Sequence, residues 1–521
     1  MQKPDAADSL PPSGSTSTNL TNVASVAVWF LSILNLYHFR IADPDLWWYL
    51  RCGGDILQSG HIRQLDIYSF TAAGLPYLDH EWLTQVLFAF LVNHGGSLAF
   101  VALKMIVGIA LLVMLYRLIR FHTSDPRIYL PFLLLGAHAV GRFLLFRPQI
   151  FSFLFFTITL YVLELDRRKQ TRAVWILPLL LWLWANMHAA FAVGMALIGY
   201  YWLIMPWAGA NGSRKLSFRL GLVALVAFGL TLLNPFGISL WQGVFGALAD
   251  PLNRTYVDEW QPTYLSPLKW NSLVYFGLVL LVLLGTLAAR ARKWAEVLLI
   301  AIFAVLAISA PRHVPFFAIV ALPSLAKWIT EWTNHIKSVR GANLVLASGL
   351  GIILLPVLLT SYYTVTDPLP RARIRDDHYR GFPYQAAEFL RRQPVTGNVW
   401  SELAWGGYFV WKLSPAWKVS LDGRNMAVYP RQVVQDHLEL TSGPSPDLSV
   451  LDRYPIDVCV FGRERKVVPM LKSNRDWELI YEDDVAVAFR NRRSAKTGLL
   501  KQDQVSLPDR PAELCLEDVL K

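Results

Sequence analysis

Two short acidic clusters in the first hundred residues contain side chains that could act as a general base. The first cluster reads D-P-D at 43–45, and the second reads D-H-E at 79–81. A carboxylate can take a proton from an attacking nucleophile, and several carboxylates together can orient a substrate or bind a divalent cation. The catalytic candidates are therefore Asp45, Asp43, Asp79 and Glu81. If a cation such as Mg²⁺ or Mn²⁺ takes part, its candidate ligands are Asp45, Asp79 and Glu81.

The same acids have a simpler interpretation, since Asp and Glu often cap helices and complement the helix dipole at the amino end. His80 lies between two of them and fits a base, a metal ligand or a hydrogen-bond partner equally well. Asn186 and His188 lie in a brief polar tip, which is either a turn that faces substrate or a pair of residues that ends a helix.

Basic side chains at the ends of apolar runs are suited to bind a phosphate. Arginine makes bidentate, charge-assisted hydrogen bonds with phosphate oxygens, although a single arginine beside a membrane often only extends toward lipid headgroups. A carboxylate base together with such cations is what the departure of a phosphate leaving group requires. The substrate-binding candidates are His80, Arg142, Arg147, His188, Arg312 and His313.

The composition shows which kind of protein positions these residues. Of 521 residues, 54% are hydrophobic and 17% are charged, and the mean hydropathy is +0.35. Soluble domains carry about 25% charged residues, so the composition excludes an ordinary soluble enzyme and a mainly disordered chain. Three cysteines give no disulfide framework. The net charge of +11 favours basic membrane loops over binding to nucleic acid, and no nucleic-acid partner is expected.

Apolar runs long enough to cross a bilayer predict a multi-pass membrane protein with about eleven transmembrane helices. Basic connections follow every second run, so the positive-inside rule places the N-terminus in the cytoplasm and the residues after about 365 outside. Residues 1–21 are expected to be a disordered cytoplasmic tail, and residues 22–364 the transmembrane domain. The predicted spans are near 22–39, 98–119, 128–143, 148–165, 174–187, 189–207, 216–235, 272–290, 294–310, 313–332 and 343–364.

With this orientation, the candidate residues lie on the outer side of the membrane. A large outer loop at 40–97 holds both acidic clusters, and we expect two helices in it, capped by Asp43 and Asp79. The first helix should have Pro44 at its first position and end before Gly60; the second should end near residue 91 and lie on the surface. A second outer loop at 251–271, with Asp258, Glu259 and Trp260, is a candidate lid.

The residues from 365 to 490 change character and predict an extracytoplasmic α/β domain with a partly parallel sheet. Asp422 and Arg424 follow a predicted strand, where α/β folds place ligands; the alternative is a turn with a salt-bridged pair. Residues 491–521 are expected to be disordered. No phosphate-binding glycine loop, zinc spacing or serine-hydrolase motif is present.

An ordered set of motifs between about residues 22 and 490 resembles the GT-C superfamily of membrane glycosyltransferases, which includes protein O-mannosyltransferases and aminoarabinose transferases. The closest resemblance is to bacterial multi-pass proteins with a D-P-D-L-W-W-H-L-R motif. Tyr49 stands where that pattern usually has His. The motifs read DPDLWWYLR (43–51), HEWL (80–83), FRPQ (146–149), NMH (186–188), NPFG (234–237), RHVP (312–315) and DGR (422–424).

The resemblance implies an inverting enzyme of the bacterial cytoplasmic membrane that takes a sugar from a polyprenyl-phosphate carrier at the outer leaflet. Asp45 or Asp43 would be the base, and Arg147 and Arg312 would hold the lipid phosphate. Asp79 and Glu81 would support the acceptor or a metal ion. The C-terminal domain would help to bind a glycan, lipid or protein acceptor.

Two other functions compete with this one. A transporter of lipid-linked sugars would place polar residues near the bilayer midplane and contain internal repeats, which the sequence lacks. A non-catalytic assembly or sensing protein of the cell envelope would act through its C-terminal domain.

Overall fold

The computed structural model describes the greater part of the chain. Arg142, the predicted span at 343–364 and the whole of the predicted N-terminal tail (1–21) lie outside the described residues. The described residues are 23, 25–33, 43–141, 143–169, 171–208, 214–250, 258–265, 269–288, 294–336, 381–424, 427–443, 445–494 and 498–505.

Apolar α-helices make up most of residues 82–336, and the chain is a membrane protein. Within the part of the chain that the structure describes, three helical stretches are long and apolar enough to cross a membrane, namely Leu98–Arg120, Gln149–Lys169 and Pro311–His335. Five shorter apolar stretches lie between and beside them: Arg172–Ala185, Phe191–Trp207, Phe218–Thr231, Val274–Leu287 and Trp294–Ser309. The helices of this part are α2 (Trp82–Arg120), α3 (Pro126–Gly141), α4 (Gln149–Lys169), α5 (Leu177–Ala185), α6 (Phe191–Leu203), α7 (Arg214–Thr231), α8 (Ser239–Ala249), α9 (Lys269–Ala288), α10 (Trp294–Ser309) and α11 (Val314–Ile336).

Helix α1 (Leu46–Ser59) precedes them and carries the W-W-Y-L run, whose side chains are buried. It ends at Gly60 in the left-handed conformation (φ 70°), as predicted, because glycine adopts positive φ without strain. The prediction for its start was wrong. The N-cap is Asp45 rather than Asp43, so Pro44 lies before the helix, and the Asp43 carboxylate instead accepts the backbone N–H of Asp45 at 3.0 Å.

The second acidic cluster also differs from the prediction. Glu81, rather than Asp79, is the N-cap of α2, and its side chain makes no capping hydrogen bond. The first helical part runs a few residues past the predicted end and stops at Gly96, whose backbone (φ 58°) is not helical. The apolar span Leu98–Arg120 follows directly, so the predicted short helix and the next span are separate helices joined through this glycine.

A five-stranded mixed sheet forms the core of residues 384–491. Its strand order is β2-β1-β3-β5-β4, with β2, β1 and β3 parallel and β4 and β5 joined as an antiparallel hairpin. The strands are β1 (Gly397–Ser401), β2 (Trp417–Val419), β3 (Val458–Gly462), β4 (Trp477–Glu482) and β5 (Ala486–Asn491). The helices around them are α12 (Tyr384–Arg391), α13 (Leu403–Leu413), α14 (Arg431–Ser442) and α15 (Val467–Ser473).

Residues from the first loop pair with the outermost strand of this sheet, β2, at its carboxyl end. The backbones of Ser69 and Val419 form a parallel bridge, and the Thr71 hydroxyl donates to the Ser420 carbonyl at 2.5 Å. The first loop therefore adds a short parallel pairing to the outer side of β2.

The D-G-R motif belongs to this contact. Arg424 is buried and pairs with Asp422 and with Asp66 of the first loop, each at 2.6 Å, and Tyr429 donates to Asp422 at 2.8 Å. Of the two interpretations of the motif, the structure supports the salt-bridged pair, because the Asp422 side chain has no exposed surface.

Some expectations for the end of the chain were wrong. Residues 498–505 are not disordered: Leu499 is buried, and the backbone N–H of Leu500 donates to the Gln393 side chain at 2.8 Å. Helices α13 and α14 were not predicted.

Candidate active site

One arginine and three carboxylates form the centre of the candidate site. Arg147, just before α4, points its Nε at Asp43 Oδ2 (2.5 Å), its Nη2 at Asp45 Oδ2 (3.1 Å) and its Nη1 at Glu259 Oε1 (3.1 Å). The D-P-D and F-R-P-Q motifs are thus adjacent in space. Each nitrogen of the guanidinium faces a carboxylate, so this arrangement does not match the expected role of Arg147 as a phosphate ligand.

The two aspartates of the first cluster differ in how they are held. Both oxygens of Asp43 accept hydrogen bonds, from the Asp45 backbone and from Arg147, and its side chain is only 2% exposed. Asp45 is 17% exposed, and its Oδ1 accepts only a long bond of 3.4 Å from Trp48 Nε1. Burial raises the pKa of Asp45 above its usual range; Arg147 opposes the shift, and the charges of Asp43 and Glu259 add to it.

The C-terminal unit contacts this base candidate directly through Gly423, the middle residue of D-G-R. A Cβ on Gly423 would lie 1.8 Å from Asp45 Oδ1 and 3.1 Å from Trp48 Nε1. Only glycine leaves space for the carboxylate here, so the motif has a steric role beside the base in addition to the buried ion pair described above.

Glu81 forms a second acidic centre with three neighbours. Its Oε1 lies 3.6 Å from His80 Nε2 and 3.7 Å from His188 Nε2, and the buried phenol of Tyr49 is the third neighbour. Burial raises the pKa of Glu81 to about 7, opposed by the interaction with Tyr49 and by the charge of Arg312. Burial also raises the pKa of Tyr49 far above 10, so its phenol keeps its proton.

Both histidines beside Glu81 are held neutral, because burial lowers their pKa values. His188 accepts the Ala190 N–H at Nδ1 (3.3 Å), and the same nitrogen lies 2.8 Å from the Ser152 hydroxyl. The proton of His188 is therefore on Nε2, which faces Glu81. His80 is 30% exposed and is the more accessible of the two.

Asp79 and Asn186 have structural partners. Asp79 accepts from Gln85 Nε2 at 2.6 Å, and burial raises its pKa to about 6, opposed by the electrostatic interaction with His80. Asn186 accepts from Trp82 Nε1 at 3.1 Å and donates to the Trp182 carbonyl at 2.9 Å, so its polar groups join α2 to the end of α5.

Arg312 and Trp260 form the remaining side of the site. The Arg312 guanidinium stacks on the Trp260 ring with 4.6 Å between its Cζ and the ring centroid, and no carboxylate oxygen of a described residue lies within 4.0 Å of it. It interacts electrostatically with Glu259, Arg147 and Glu81 over longer distances. His313 Nδ1 bonds instead to the Leu306 carbonyl at 3.0 Å, which ties the R-H-V-P turn to α10.

A divalent cation does not fit the arrangement of these acids. Within the described ranges, no three Asp, Glu, His or Cys side chains are placed to hold a metal ion, and the proposed set Asp45, Asp79 and Glu81 does not converge. Asp45 is turned toward Arg147, and Asp79 toward Gln85.

Sequence reasoning missed Glu259 as a partner of Arg147 and Trp260 as a partner of Arg312. Both belong to the 3-10 turn Asp258–Trp260, in the loop that was predicted to be a lid without specific contacts. The signal available was an acidic pair followed by tryptophan on the outer side, which is too common to assign.

Comparison with known proteins gives a likeness of fold. No protein-family model matches the chain, and no curated protein matches it in sequence. Its structure is similar to the oligosaccharyltransferase of Archaeoglobus fulgidus in the apo form, with a TM-score of 0.55 and 12% identity over 86% of this chain and 70% of that one. This is a likeness of overall fold, and the exact number of spans stays a prediction.

A second solved structure is ArnT from Cupriavidus metallidurans bound to undecaprenyl phosphate. It has a TM-score of 0.44 and 13% identity over 92% of this chain and 98% of that one. Similarity at this level does not establish a shared arrangement of helices, and the chemistry of the site has to be argued from its own side chains.

Proposed function

We propose that the chain is an inverting glycosyltransferase that moves a sugar from a polyprenyl-phosphate carrier to an acceptor outside the cytoplasm. The fold-level likeness to an oligosaccharyltransferase supports the general kind of reaction. The observation that carries the proposal is Asp45, a partly exposed carboxylate with one weakly bonded oxygen, beside the Arg147 centre.

Asp45 is the better base of the two aspartates. Both oxygens of Asp43 are already used as acceptors, one by the Asp45 backbone and one by Arg147, so neither is free for the proton of a nucleophile. Asp45 keeps Oδ1 for the incoming nucleophile, and its raised pKa matches a base that works near neutral pH.

Arg312 is the best candidate for the phosphate of the carrier. It lacks a carboxylate partner among the described residues and stacks on Trp260, which fixes the plane of its guanidinium. A guanidinium held in this way can make two hydrogen bonds with a phosphate and stabilise the charge that develops on the leaving group. We assign the phosphate to Arg312 rather than to Arg147 for this reason.

The proposed step is a single displacement at the anomeric carbon. The acceptor oxygen or nitrogen attacks the carbon as its bond to the phosphate oxygen breaks, and Asp45 takes the proton of the nucleophile. The polyprenyl phosphate leaves as an anion beside Arg312. Attack from the side opposite the phosphate inverts the configuration.

The experiment that tests the phosphate assignment measures binding of polyprenyl phosphate to the purified chain in lipid nanodiscs, with polyprenol as the control lipid. Arg312→Gln should weaken binding by roughly 10- to 100-fold, the value of a charge-assisted hydrogen bond. The matched control is Arg127→Gln, because Arg127 is an exposed arginine paired with Asp125. Equal binding of both lipids by the unaltered chain would contradict the proposal.

A further inference from the structure

The Arg147 guanidinium lies where three carboxylates converge from separate parts of the chain. Asp43 and Asp45 come from the segment before α1, and Glu259 comes from the 3-10 turn before α9. Their side chains are between 2% and 20% exposed, so little water screens them from one another. Three such carboxylates repel one another unless a positive charge lies between them.

Carboxylate oxygens are also the ligands that Mg²⁺ and Mn²⁺ prefer, at about 2.1 Å. A guanidinium and a metal ion cannot both use the same oxygens. In this structure the nitrogens of Arg147 lie 2.5 to 3.1 Å from one oxygen of each acid, so the arginine occupies the centre of the cluster.

We infer that Arg147 is the resident cation of this site: the three acids are arranged around its guanidinium, which keeps a divalent metal ion out of the position beside the base. As a positioning residue, it offsets the repulsion among the three carboxylates and fixes Oδ2 of Asp45, which leaves Oδ1 for the reacting nucleophile. Only this catalytic consequence rests on the proposed function. The charge arrangement itself holds whatever reaction the site performs.

The test uses Mn²⁺ alone as the probe and requires no substrate. Bound Mn²⁺ is measured by the loss of the free-ion electron paramagnetic resonance signal in the purified full chain. Arg147→Ala should open a site for about one Mn²⁺ per chain and bind it at least roughly tenfold more tightly than the unaltered protein. Adding Glu259→Gln to Arg147→Ala should remove that gain, because it removes one of the three ligands.

Arg147→Gln is the second variant, because it keeps more of the side-chain volume if the alanine variant fails to fold. Failure of a folded Arg147→Ala or Arg147→Gln chain to gain Mn²⁺ binding would overturn the inference. So would a Mn²⁺ ion bound by the unaltered chain and lost in its Glu259→Gln variant. If neither Arg147 variant folds, the comparison of the unaltered chain with its Glu259→Gln variant decides alone. The inference is then supported if the unaltered chain binds no Mn²⁺ that the Glu259→Gln variant loses.

A kinetic readout separates this inference from the proposed function. If sugar transfer is detected, EDTA should leave its rate unchanged, and Arg147→Lys should shift the pH profile because a point charge reaches fewer of the three acids. Absence of transfer from every donor would count against the proposed function, whereas the Mn²⁺ result would stand.

Discussion

Replacing Arg424 by methionine should destabilise the contact between the first loop and the C-terminal unit. Arg424 is 1% exposed at its side chain and donates to both oxygens of Asp422, to Asp66 and to Tyr429. Its guanidinium also lies over the rings of Tyr68 and Tyr77, at 5.1 and 5.2 Å. Methionine fills a similar volume but leaves two buried carboxylates without their cation.

Removing one partner of a buried ion pair costs about 3–5 kcal/mol. The lower end applies here, because Tyr429 still donates to Asp422 and the Ser69 backbone and hydroxyl still donate to Asp66. We expect a loss of about 3 kcal/mol, which corresponds to a decrease in unfolding temperature on the order of 5 °C. Thermal unfolding in detergent, followed by tryptophan fluorescence, measures it. Faster proteolysis within residues 61–77 should accompany the change, since this segment loses its main ionic contact.

The matched control is Arg493→Met. Arg493 pairs with Asp452 and Asp476, but its side chain is 60% exposed, so its loss should cost less than about 1 kcal/mol. If Arg424→Met is no less stable than this control, the buried cluster does not hold the two parts together and the argument for the D-G-R motif fails.

Three further predictions concern the site itself. Gly423→Ala should lower the transfer rate by roughly 100-fold, because the added Cβ would displace the Asp45 carboxylate. The control Gly54→Ala should leave the rate unchanged, because there is open space around Gly54. Tyr49→Phe should lower kcat/KM by roughly tenfold by removing the phenol hydroxyl that interacts with Glu81, and Tyr49→His should restore part of the rate. Equal rates for the unaltered chain and both variants would show that this hydroxyl has no role. The transfer rate should fall as the pH falls, with a midpoint above the usual carboxyl range, because the raised pKa of Asp45 means that this base is protonated at higher pH than an exposed aspartate. A transfer rate that stays unchanged down to pH 4 would exclude Asp45 as the base.

Local patterns in the sequence were enough to predict much of the fold. The apolar runs correspond to the observed apolar helices, and the segments around Gly397–Ser401 and Val458–Gly462 are strands, as the buried β-like pattern indicated. Gly60 ends α1 because a glycine after an amphipathic run is a strong local stop signal. Each of these signals depends only on neighbouring residues.

The partners within the site could not be predicted in the same way. Arg147 could have faced a phosphate, a headgroup or a carboxylate, and only the approach of Glu259, 112 positions away, and of Asp43, 104 positions away, determines which. Asp79 looked like a helix cap, yet its carboxylate bonds to the side chain of Gln85. Such choices depend on long-range packing, which a single sequence does not encode in any local pattern.

Release of polyprenyl phosphate from a panel of labelled polyprenyl-phosphate sugars, in liposomes with acceptor extract, tests the central claim most directly. The unaltered chain should release the carrier from at least one donor. Asp45→Asn should lower the rate by about 10²- to 10⁴-fold, and the exposed control Asp452→Asn should not. A folded chain that releases no carrier from any donor, or an Asp45→Asn variant that retains the full rate, would contradict the account.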